Sequence, residues 1–377
     1  MRAQITLGRV FGIELGLHYS WLIIATLIVF SLAARFHAIN ANWSPGVIWG
    51  ASLVTSILFF AGLFVHELAH ALVARSRNIP VRRITLFALG GVAQIEQEAS
   101  DARTEFLIAI AGPLTSCILG AILLGIAHAM GWAPRANPAT PTLAALTWLG
   151  AINIVLGFFN MIPGFPLDGG RVFRAFLWKT TGNAERATRI AAKIGQLTGL
   201  LLIFYGIVRF FAGGGFGGLW LSFIGWFLLD AARANYFQYE ATILLRDLRA
   251  EDLMSRDCVS VNGNMSLQQL VDDQLLRSTQ RCFVVVEEGR VTGLITPAEV
   301  HKTERARWVE TPIHKVMRPL DKVRAISPET PVVKAVELMA REDLNQLPVI
   351  ADHHVEGMIT RSNIFQVLKS RMELGAH

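Results

Sequence analysis

Long apolar runs separated by charged segments dominate the first 232 residues of this 377-residue chain. A helix that crosses a bilayer needs about 20 mostly apolar residues. From residue 233 onward, charged residues mix with short apolar runs, as in soluble proteins. The pattern therefore predicts a polytopic α-helical membrane domain followed by a soluble α/β domain. The apolar runs predict six membrane spans, at about 19–36, 46–73, 104–130, 143–162, 195–212 and 216–232.

The soluble part contains two copies of one sequence pattern. The segment "DLMSRDCVSV" at 252–261 resembles "KVMRPLDKVRAI" at 315–326, and "GLITPAEV" at 293–300 resembles "GMITRSNI" at 357–364. Each copy predicts a short strand, a helix, two further strands and a closing helix. The predicted domains are a membrane core at 1–232, a helical linker at 233–249, and two α/β repeats at 250–311 and 312–377.

Composition and charge agree with a membrane protein. Only 17% of the residues are charged, whereas soluble domains contain about 25%. The net charge of +6 does not indicate nucleic-acid binding, because no basic stripe with interleaved aromatic residues is present. Lysine and arginine mark the cytoplasmic side of a membrane protein, so we expect a multi-pass protein of the plasma membrane with both termini in the cytoplasm. The relevant cations are Arg2, Arg9, Arg75, Arg77, Arg82, Arg83, Arg171, Arg174, Lys179, Arg186, Arg189 and Lys193.

The segment "RRITLFALGGVAQIE" at 82–96 is too short and too rich in glycine for another span. Its β-branched residues on either side of Gly90 and Gly91 predict a β-hairpin that dips into the protein. Irregular backbone at membrane depth is tolerated only where it is buried in protein or lines a wet cavity. We therefore expect a cavity beside this hairpin.

Three ionisable residues lie in the second apolar run, in the sequence "HELAH" at 66–70. On a helix, His66 and His70 project from one face, about one turn apart, and can chelate one zinc ion. Glu67 lies beside the first ligand and can act as general base toward a water at the metal. The alternative is that these are interfacial or buried histidines with satisfied hydrogen bonds.

A catalytic zinc site usually has three protein ligands, and "FFNMIPGFPLDGGRVF" at 158–173 supplies a candidate for the third. Pro163, Gly164 and Pro166 predict a break in the fourth span, after which a new helix can start near Asp168. A carboxylate in a broken membrane segment indicates a functional site. The alternative is that Asp168 only caps a helix at the membrane interface.

Together, "HELAH" and "NMIPGFPLDGG" resemble the site-2 protease family of intramembrane zinc metalloproteases. The segments "GIELGLHYS" at 12–20, "FALGGVA" at 87–93 and "AGPLTS" at 111–116 are also similar to that family, so the resemblance extends over all six spans. One departure is Phe165, where many relatives have proline. The resemblance implies an endopeptidase that cleaves transmembrane segments of membrane-tethered substrates in regulated intramembrane proteolysis. It also implies that His66, His70 and Asp168 bind one Zn²⁺ per chain and that Glu67 is the base.

The same resemblance suggests substrate-binding residues. Asn160 is expected to contact the substrate or the developing oxyanion. The hairpin around Gly90 and Gly91 looks like the membrane-dipping hairpin of the family. Because a helical substrate must unwind before its amide bonds can be attacked, the hairpin could pair with the unwound segment as an added strand.

The duplicated tail resembles a tandem pair of CBS domains. Such pairs dimerise in some proteins and bind adenine nucleotides in others. The resemblance therefore implies that the pair regulates the protease. Two interpretations stay open: the pair binds an adenine nucleotide, or it is a purely structural module that forms a homodimer. In nucleotide-binding members, an acidic residue three positions after a threonine contacts the ribose. Here Thr296 and Thr360 are retained, while Glu299 and Asn363 stand at the acidic positions.

Two other functional classes fit part of the sequence. A CBS-regulated cation transporter or channel could use the histidines and Asp168 as an ion site. Glu67 argues against that class, because a binding site has no need of a general base there. An inactive scaffold is disfavoured because both motifs are complete. The expected partners are a transmembrane substrate and the lipid bilayer, with no nucleic acid.

Overall fold

The structure, a computed structural model, describes residues 5–88, 90–95, 99–256, 259–277, 283–319, 322–351 and 354–374. The chain forms two compact units, one ending at Tyr236 and the other starting at Phe237. Five helices of the described residues are long and apolar enough to cross a membrane. They are α1 (Ser20–Ile39), α2 (Pro45–Ser76), α3 (Ala102–Ala129), α4 (Pro141–Asn160) and α6 (Ala184–Arg209).

These five helices lie at the positions of the first five predicted spans. The last of them begins earlier than its predicted span at 195–212, because its charged first turns are helical as well. A shorter helix, α5 (Asp168–Thr181), follows the predicted break after α4. The sixth predicted span and most of the predicted linker form one helix, α7 (Phe216–Leu245). Since α7 is not among the five helices, a sixth crossing remains a prediction.

Local sequence explains where the long helices begin. The side chains of Ser44, Asp101, Thr140 and Asn183 each accept a hydrogen bond from the backbone amide three residues later. These bonds satisfy amides that have no partner within the helix. Proline occupies the first helical position of α2 and of α4, where its missing N–H costs nothing.

The predicted hairpin is part of a larger sheet. Strands β1 (Ile5–Val10), β2 (Ile13–Leu17), β3 (Val81–Phe87) and β4 (Gly90–Ile95) lie side by side in that order. The pairs β1/β2 and β3/β4 are antiparallel, and β2 pairs with β3 in parallel. The hairpin prediction is confirmed, whereas the sequence analysis missed β1 and β2 and their pairing with β3. Strand β4 therefore lies at one edge of the sheet.

The second unit contains the two repeats. Strands β5 (Ser260–Asn262), β6 (Phe283–Glu287), β7 (Arg290–Ile295) and β8 (Arg318–Pro319) form one sheet, and β9 (Gln346–Ala351) pairs with β10 (His354–Thr360) in another. The predicted strand pairs of both repeats are confirmed. The α-helices are α8 (Ala250–Leu253), α9 (Leu267–Leu270), α10 (Pro297–Val300), α11 (Val332–Glu342) and α12 (Arg361–Leu374).

Each repeat has its own hydrophobic core, and each core also contains residues from the beginning of the other repeat. Ile313, from the start of the second repeat, is buried in the core of the first. Leu253 and Met254, from the start of the first repeat, are buried in the core of the second. The repeats are contiguous in sequence but interlocked in three dimensions.

Candidate zinc centre

Helices α2 and α5 bring three potential metal ligands together. His66 and His70 lie one turn apart on α2, and Asp168 is the first residue of α5. The Oδ2 atom of Asp168 lies 3.2 Å from the Nε2 atom of each histidine, and the two Nε2 atoms are 3.3 Å apart. All three side chains are largely buried, with exposed fractions of 3%, 5% and 15%. The structure therefore brings together the three ligands that the sequence predicted.

The spacing of the three donor atoms fits a tetrahedral zinc ion. Zinc binds nitrogen and carboxylate oxygen at about 2.0–2.2 Å, so the ligand atoms of a regular tetrahedron lie about 3.3–3.6 Å apart. The observed separations are 3.2, 3.2 and 3.3 Å. The observed spacing is thus close to that of a tetrahedral site, and three protein ligands are the number that a catalytic zinc site usually has.

Helix α3 orients the two imidazoles. The Nδ1 atom of His70 lies 2.6 Å from the carbonyl oxygen of Ile108, which can only accept a hydrogen bond. Nδ1 of His70 therefore carries the proton, and its Nε2 lone pair is free for a metal. The Nδ1 atom of His66 lies 2.9 Å from the hydroxyl oxygen of Ser116, which is compatible with the same tautomer.

Gly112 on α3 makes room for the donor atoms. A Cβ atom at this position would lie 2.2 Å from Nε2 of His70 and 2.6 Å from Nε2 of His66. The segment "AGPLTS" thus contributes both Gly112 and Ser116 to the site. The sequence marks this segment only by its similarity to a family, because local spacing does not predict the approach of α3 to α2.

The predicted base, Glu67, lies under the edge strand of the sheet. A Cβ atom at Gly91 would lie 2.5 Å from Cγ and 2.9 Å from Oε1 of Glu67, so the backbone of β4 packs directly on this side chain. Gly90 has no such neighbour, but its φ of +146° is one that glycine adopts most easily. The structure therefore places Gly91, but not Gly90, against a predicted catalytic residue.

A tight loop carries Asp168 to the site. A Cβ atom at Gly169 would lie 2.3 Å from the carbonyl oxygen of Met161, and one at Gly170 would lie 2.3 Å from the carbonyl carbon of Gly164. The loop after α4 thus folds directly onto the first turn of α5. This packing explains why two glycines follow Asp168. The glycine pair is visible in the sequence, but the close contacts that require glycine at these two positions depend on the fold of the loop.

The other predicted contact, Asn160, is the half-buried last residue of α4. It lies at the start of the same loop, and within the described residues its side chain makes no hydrogen bond. Its role toward substrate stays a prediction.

A charged cluster that sequence reasoning missed lies between α3 and α5. Glu105 is only 2% exposed. Arg171 holds it with two hydrogen bonds, of 3.0 and 3.3 Å, and Arg174 approaches to 3.6 Å. Arg171 lies three residues after Asp168, on the same helix. The ion pair between Arg171 and Glu105 therefore connects α5, which carries Asp168, to α3, which forms hydrogen bonds with both histidines.

The four predicted nucleotide contacts fall into two sets. Thr296 and Glu299 line a cleft of about 380 Å³ in the second unit, whereas Thr360 and Asn363 are not among its lining residues. The side chain of Asn363 accepts a hydrogen bond from the Thr360 hydroxyl. In both repeats the threonine and the residue three positions later are thus paired with each other at the start of a helix.

Glu299 is engaged by neighbours within the cleft. It accepts hydrogen bonds from the hydroxyl of Thr296 and, at 3.0 Å, from the guanidinium of Arg318. Burial raises the pKa of Glu299, but the Thr296 hydrogen bond and the Arg318 charge outweigh it and hold the pKa below its ordinary value. Arg324 also lines the cleft.

Comparison with known proteins places these features in a family. The model of Peptidase family M50 matches residues 54–202, and the CBS domain model matches residues 250–303 and 313–370. A protein of Mycobacterium tuberculosis named as a zinc metalloprotease, Rip3, is 32% identical, and the match covers 98% of this chain and 93% of that protein. The zinc metalloprotease MJ0392 of Methanocaldococcus jannaschii is 28% identical, with coverage of 98% and 97%.

Among solved structures, the chain is similar to a site-2 protease from Methanocaldococcus jannaschii, with 28% identity and a TM-score of 0.43. That match covers 62% of this chain and 94% of the other. The assignment rests on the sequence relatives, whose similarity extends through both units. The chain belongs to peptidase family M50, as an intramembrane zinc metalloprotease of the site-2 protease type that carries a C-terminal pair of CBS domains.

Proposed function

We propose that His66, His70 and Asp168 hold one zinc ion per chain and that Glu67 is the general base for hydrolysis of transmembrane substrates. The observation that carries this proposal is the tetrahedral spacing of the three donor atoms, at 3.2–3.3 Å. Membership of a zinc metalloprotease family favours hydrolysis over the alternative of a transported cation.

Several residues of this protein have separate roles in the proposed hydrolysis of a peptide bond. A zinc ion at this site would supply a Lewis acid for the substrate carbonyl and lower the pKa of a water. Ile108 and Ser116 keep both imidazoles in the ligating orientation. Glu67 accepts the proton of the attacking water and passes it to the leaving nitrogen. Asn160 contacts the substrate or the developing oxyanion.

The substrate is proposed to bind as an extended strand at the edge of the sheet. Strand β4 is an edge strand, and its Gly91 backbone packs on Glu67. A transmembrane segment that unwinds and pairs with β4, beside Gly90 and Gly91, would bring its amide bonds next to the base. Val92→Pro should then reduce cleavage without lowering zinc content, and Val92→Ala should not. Normal cleavage by Val92→Pro would contradict strand addition.

We further propose that the chain lies in the plasma membrane with both termini in the cytoplasm. The support is the distribution of lysine and arginine among the loops. Epitope tags at each terminus should be reached by antibody only in permeabilised cells. Labelling of a terminus in intact cells would contradict this orientation.

The CBS pair is proposed to regulate the protease through an adenine nucleotide and to form a homodimer. Thr296 and Glu299 in the cleft, and Thr360 and Asn363 at the matching positions, are the candidate contacts. Arg318 and Arg324 supply positive charge suited to phosphate. Titration calorimetry of the full chain with AMP and ATP, in comparison with Arg324→Gln, tests this proposal, and light scattering tests the dimer. Absence of heat with both nucleotides would leave the pair as a structural module.

The decisive experiment compares zinc content and cleavage of a model transmembrane substrate in the wild type, Glu67→Gln and His70→Ala. We expect Glu67→Gln to keep zinc and lose cleavage, and His70→Ala to lose both. Glu310→Gln, which changes an exposed carboxylate of the second unit, serves as the control and should behave as wild type. Unchanged cleavage by Glu67→Gln would remove the proposed mechanism.

A further inference from the structure

The outward face of α6 carries cations at one end and apolar side chains at the other. Arg186, Arg189 and Lys193 recur at intervals of three and four residues, so they form one stripe along the helix. The residues of α6 that pack into the protein are small and lie on the opposite face. They are Ala187, Thr188, Ala191, Ala192, Gly195, Gly199 and Gly206.

The charged end of this stripe borders a cleft of about 410 Å³. Its lining residues are Asn183, Glu185, Arg186, Arg189, Ile190 and Lys193. Arg189 pairs with Glu185 at 3.0 Å, while its Nε atom is buried and has no hydrogen-bond partner in the described part of the chain. The side chains of Arg186 and Lys193 form no ion pair or hydrogen bond with any described residue. Three cations thus face one carboxylate, and N–H donors of these side chains remain available to bind an anion.

The same stripe continues with exposed apolar residues. Leu197, Leu200, Leu201 and Phe204 follow Lys193 on the same face and are 50% to 68% exposed. From Lys193 to Phe204 the helix rises by about 16 Å, at 1.5 Å per residue. Half of the hydrocarbon core of a bilayer is about 15 Å thick. The apolar part of the stripe therefore has the length of one leaflet, and the cations lie where that leaflet's headgroups begin.

We propose that this α6 stripe is a binding site for an anionic phospholipid. The phosphate would be held by Arg186, Arg189 and Lys193, and an acyl chain would lie along Leu197, Leu200 and Phe204. A soluble phosphate compound would match only the charged end, whereas a lipid matches both the charge and the length of the apolar end. The site lies outside the zinc centre and does not depend on the mechanism proposed above.

The test is a titration of delipidated, detergent-solubilised full-length protein with phosphatidylglycerol, with the thermal unfolding midpoint as the readout. A cation near a membrane surface strengthens binding of anionic lipid about five-fold. The triple variant R186Q/R189Q/K193Q should therefore bind phosphatidylglycerol roughly 100-fold more weakly. Phosphatidylcholine should give a small shift that is equal in variant and wild type.

A matched control removes the same charge elsewhere. R103Q/R135Q/R233Q changes three exposed cations of the first unit that lie off the stripe, and it should bind phosphatidylglycerol like the wild type. Zinc content and the unfolding midpoint in phosphatidylcholine report whether each variant is folded. If the triple variant does not fold, Lys193→Gln alone should weaken binding about five-fold.

Two results would overturn the proposal. One is equal affinity for phosphatidylglycerol in the stripe variant and in the control variant. The other is that inorganic phosphate at millimolar concentration raises the midpoint of the wild type as far as the lipid does and displaces the lipid. The second result would assign the cleft to a soluble anion instead.

Discussion

Gly112 allows a sharp test of the zinc centre, because the missing methyl group would occupy the space between the two histidines. The Cβ of an alanine would lie 2.2 Å from Nε2 of His70, where ordinary contacts start at 3.4 Å, so this nitrogen would have to retreat by 1.2 Å. For His66 the retreat from 2.6 Å is 0.8 Å. Zinc–ligand distances tolerate only about 0.2 Å. We therefore expect Gly112→Ala to lower the zinc affinity by about 100-fold or more, beyond the usual effect of changing an outer-shell group.

The histidines cannot easily move aside to accept the methyl group. Both are buried, and their Nδ1 atoms are bonded to Ile108 and Ser116 on the same helix as Gly112. A retreat of the rings would break these hydrogen bonds as well. The clash is thus with anchored rings and not with the ends of mobile side chains.

The assay is competition with a zinc chelator, combined with cleavage of a model substrate. Gly125→Ala serves as the matched control, since its Cβ would meet nothing within 4 Å on the same helix. Gly120→Ala is a packing control: its Cβ would lie 2.8 Å from the carbonyl oxygen of Gly150 and should reduce stability without a specific loss of zinc. Wild-type zinc affinity in Gly112→Ala would refute the geometry of the site.

Three further changes test neighbouring parts of the molecule. Ser116→Ala removes the partner of Nδ1 of His66 and should weaken zinc binding about 10- to 100-fold in the chelator assay; unchanged affinity would show that the hydroxyl does not orient the ring. Glu105→Gln leaves Arg171 without its buried carboxylate and should lower the free energy of unfolding by about 3–5 kcal/mol. A loss below about 1 kcal/mol in denaturant titration would contradict a structural role for the pair. Because the pKa of Glu299 is depressed in the folded state, its stabilising contribution is present at neutral pH and is lost as the pH falls below about 4.3. The hydrogen-exchange protection factors of residues 290–300 in the full chain, which correct for the intrinsic pH dependence of exchange, should therefore fall on acidification more in the wild type than in Glu299→Gln, and an equal fall in both would contradict this linkage.

The parts of the site that could be predicted depend on local geometry. His66 and His70 share a helix face because their spacing is four residues, whatever the rest of the chain does. Asp168 was predicted because the prolines before it must end a helix. Each of these inferences needs only a few neighbouring residues, and the structure confirms that the three side chains meet.

Other parts could not be predicted because they depend on which elements lie side by side. The parallel pairing of β2 with β3 does not follow from local sequence, since a long helical segment separates the two strands. The ion pair between Glu105 and Arg171 joins residues that are 66 positions apart, so no local pattern predicts it. The interlocked cores of the two repeats are likewise invisible in a pattern that treats each repeat as a unit.

The sequence by itself thus determined the long apolar helices, the soluble repeat and the identities of the candidate ligand residues, because hydrophobic periodicity and residue spacing act within one element at a time. Only the tertiary structure decided the distance between the donor atoms, the hydrogen bonds from both imidazoles to α3, and the packing of Gly91 on Glu67. These features arise where separate segments approach within van der Waals contact. The physical reason is that close packing between segments depends on the shapes of all the partners at once, which no single stretch of sequence contains.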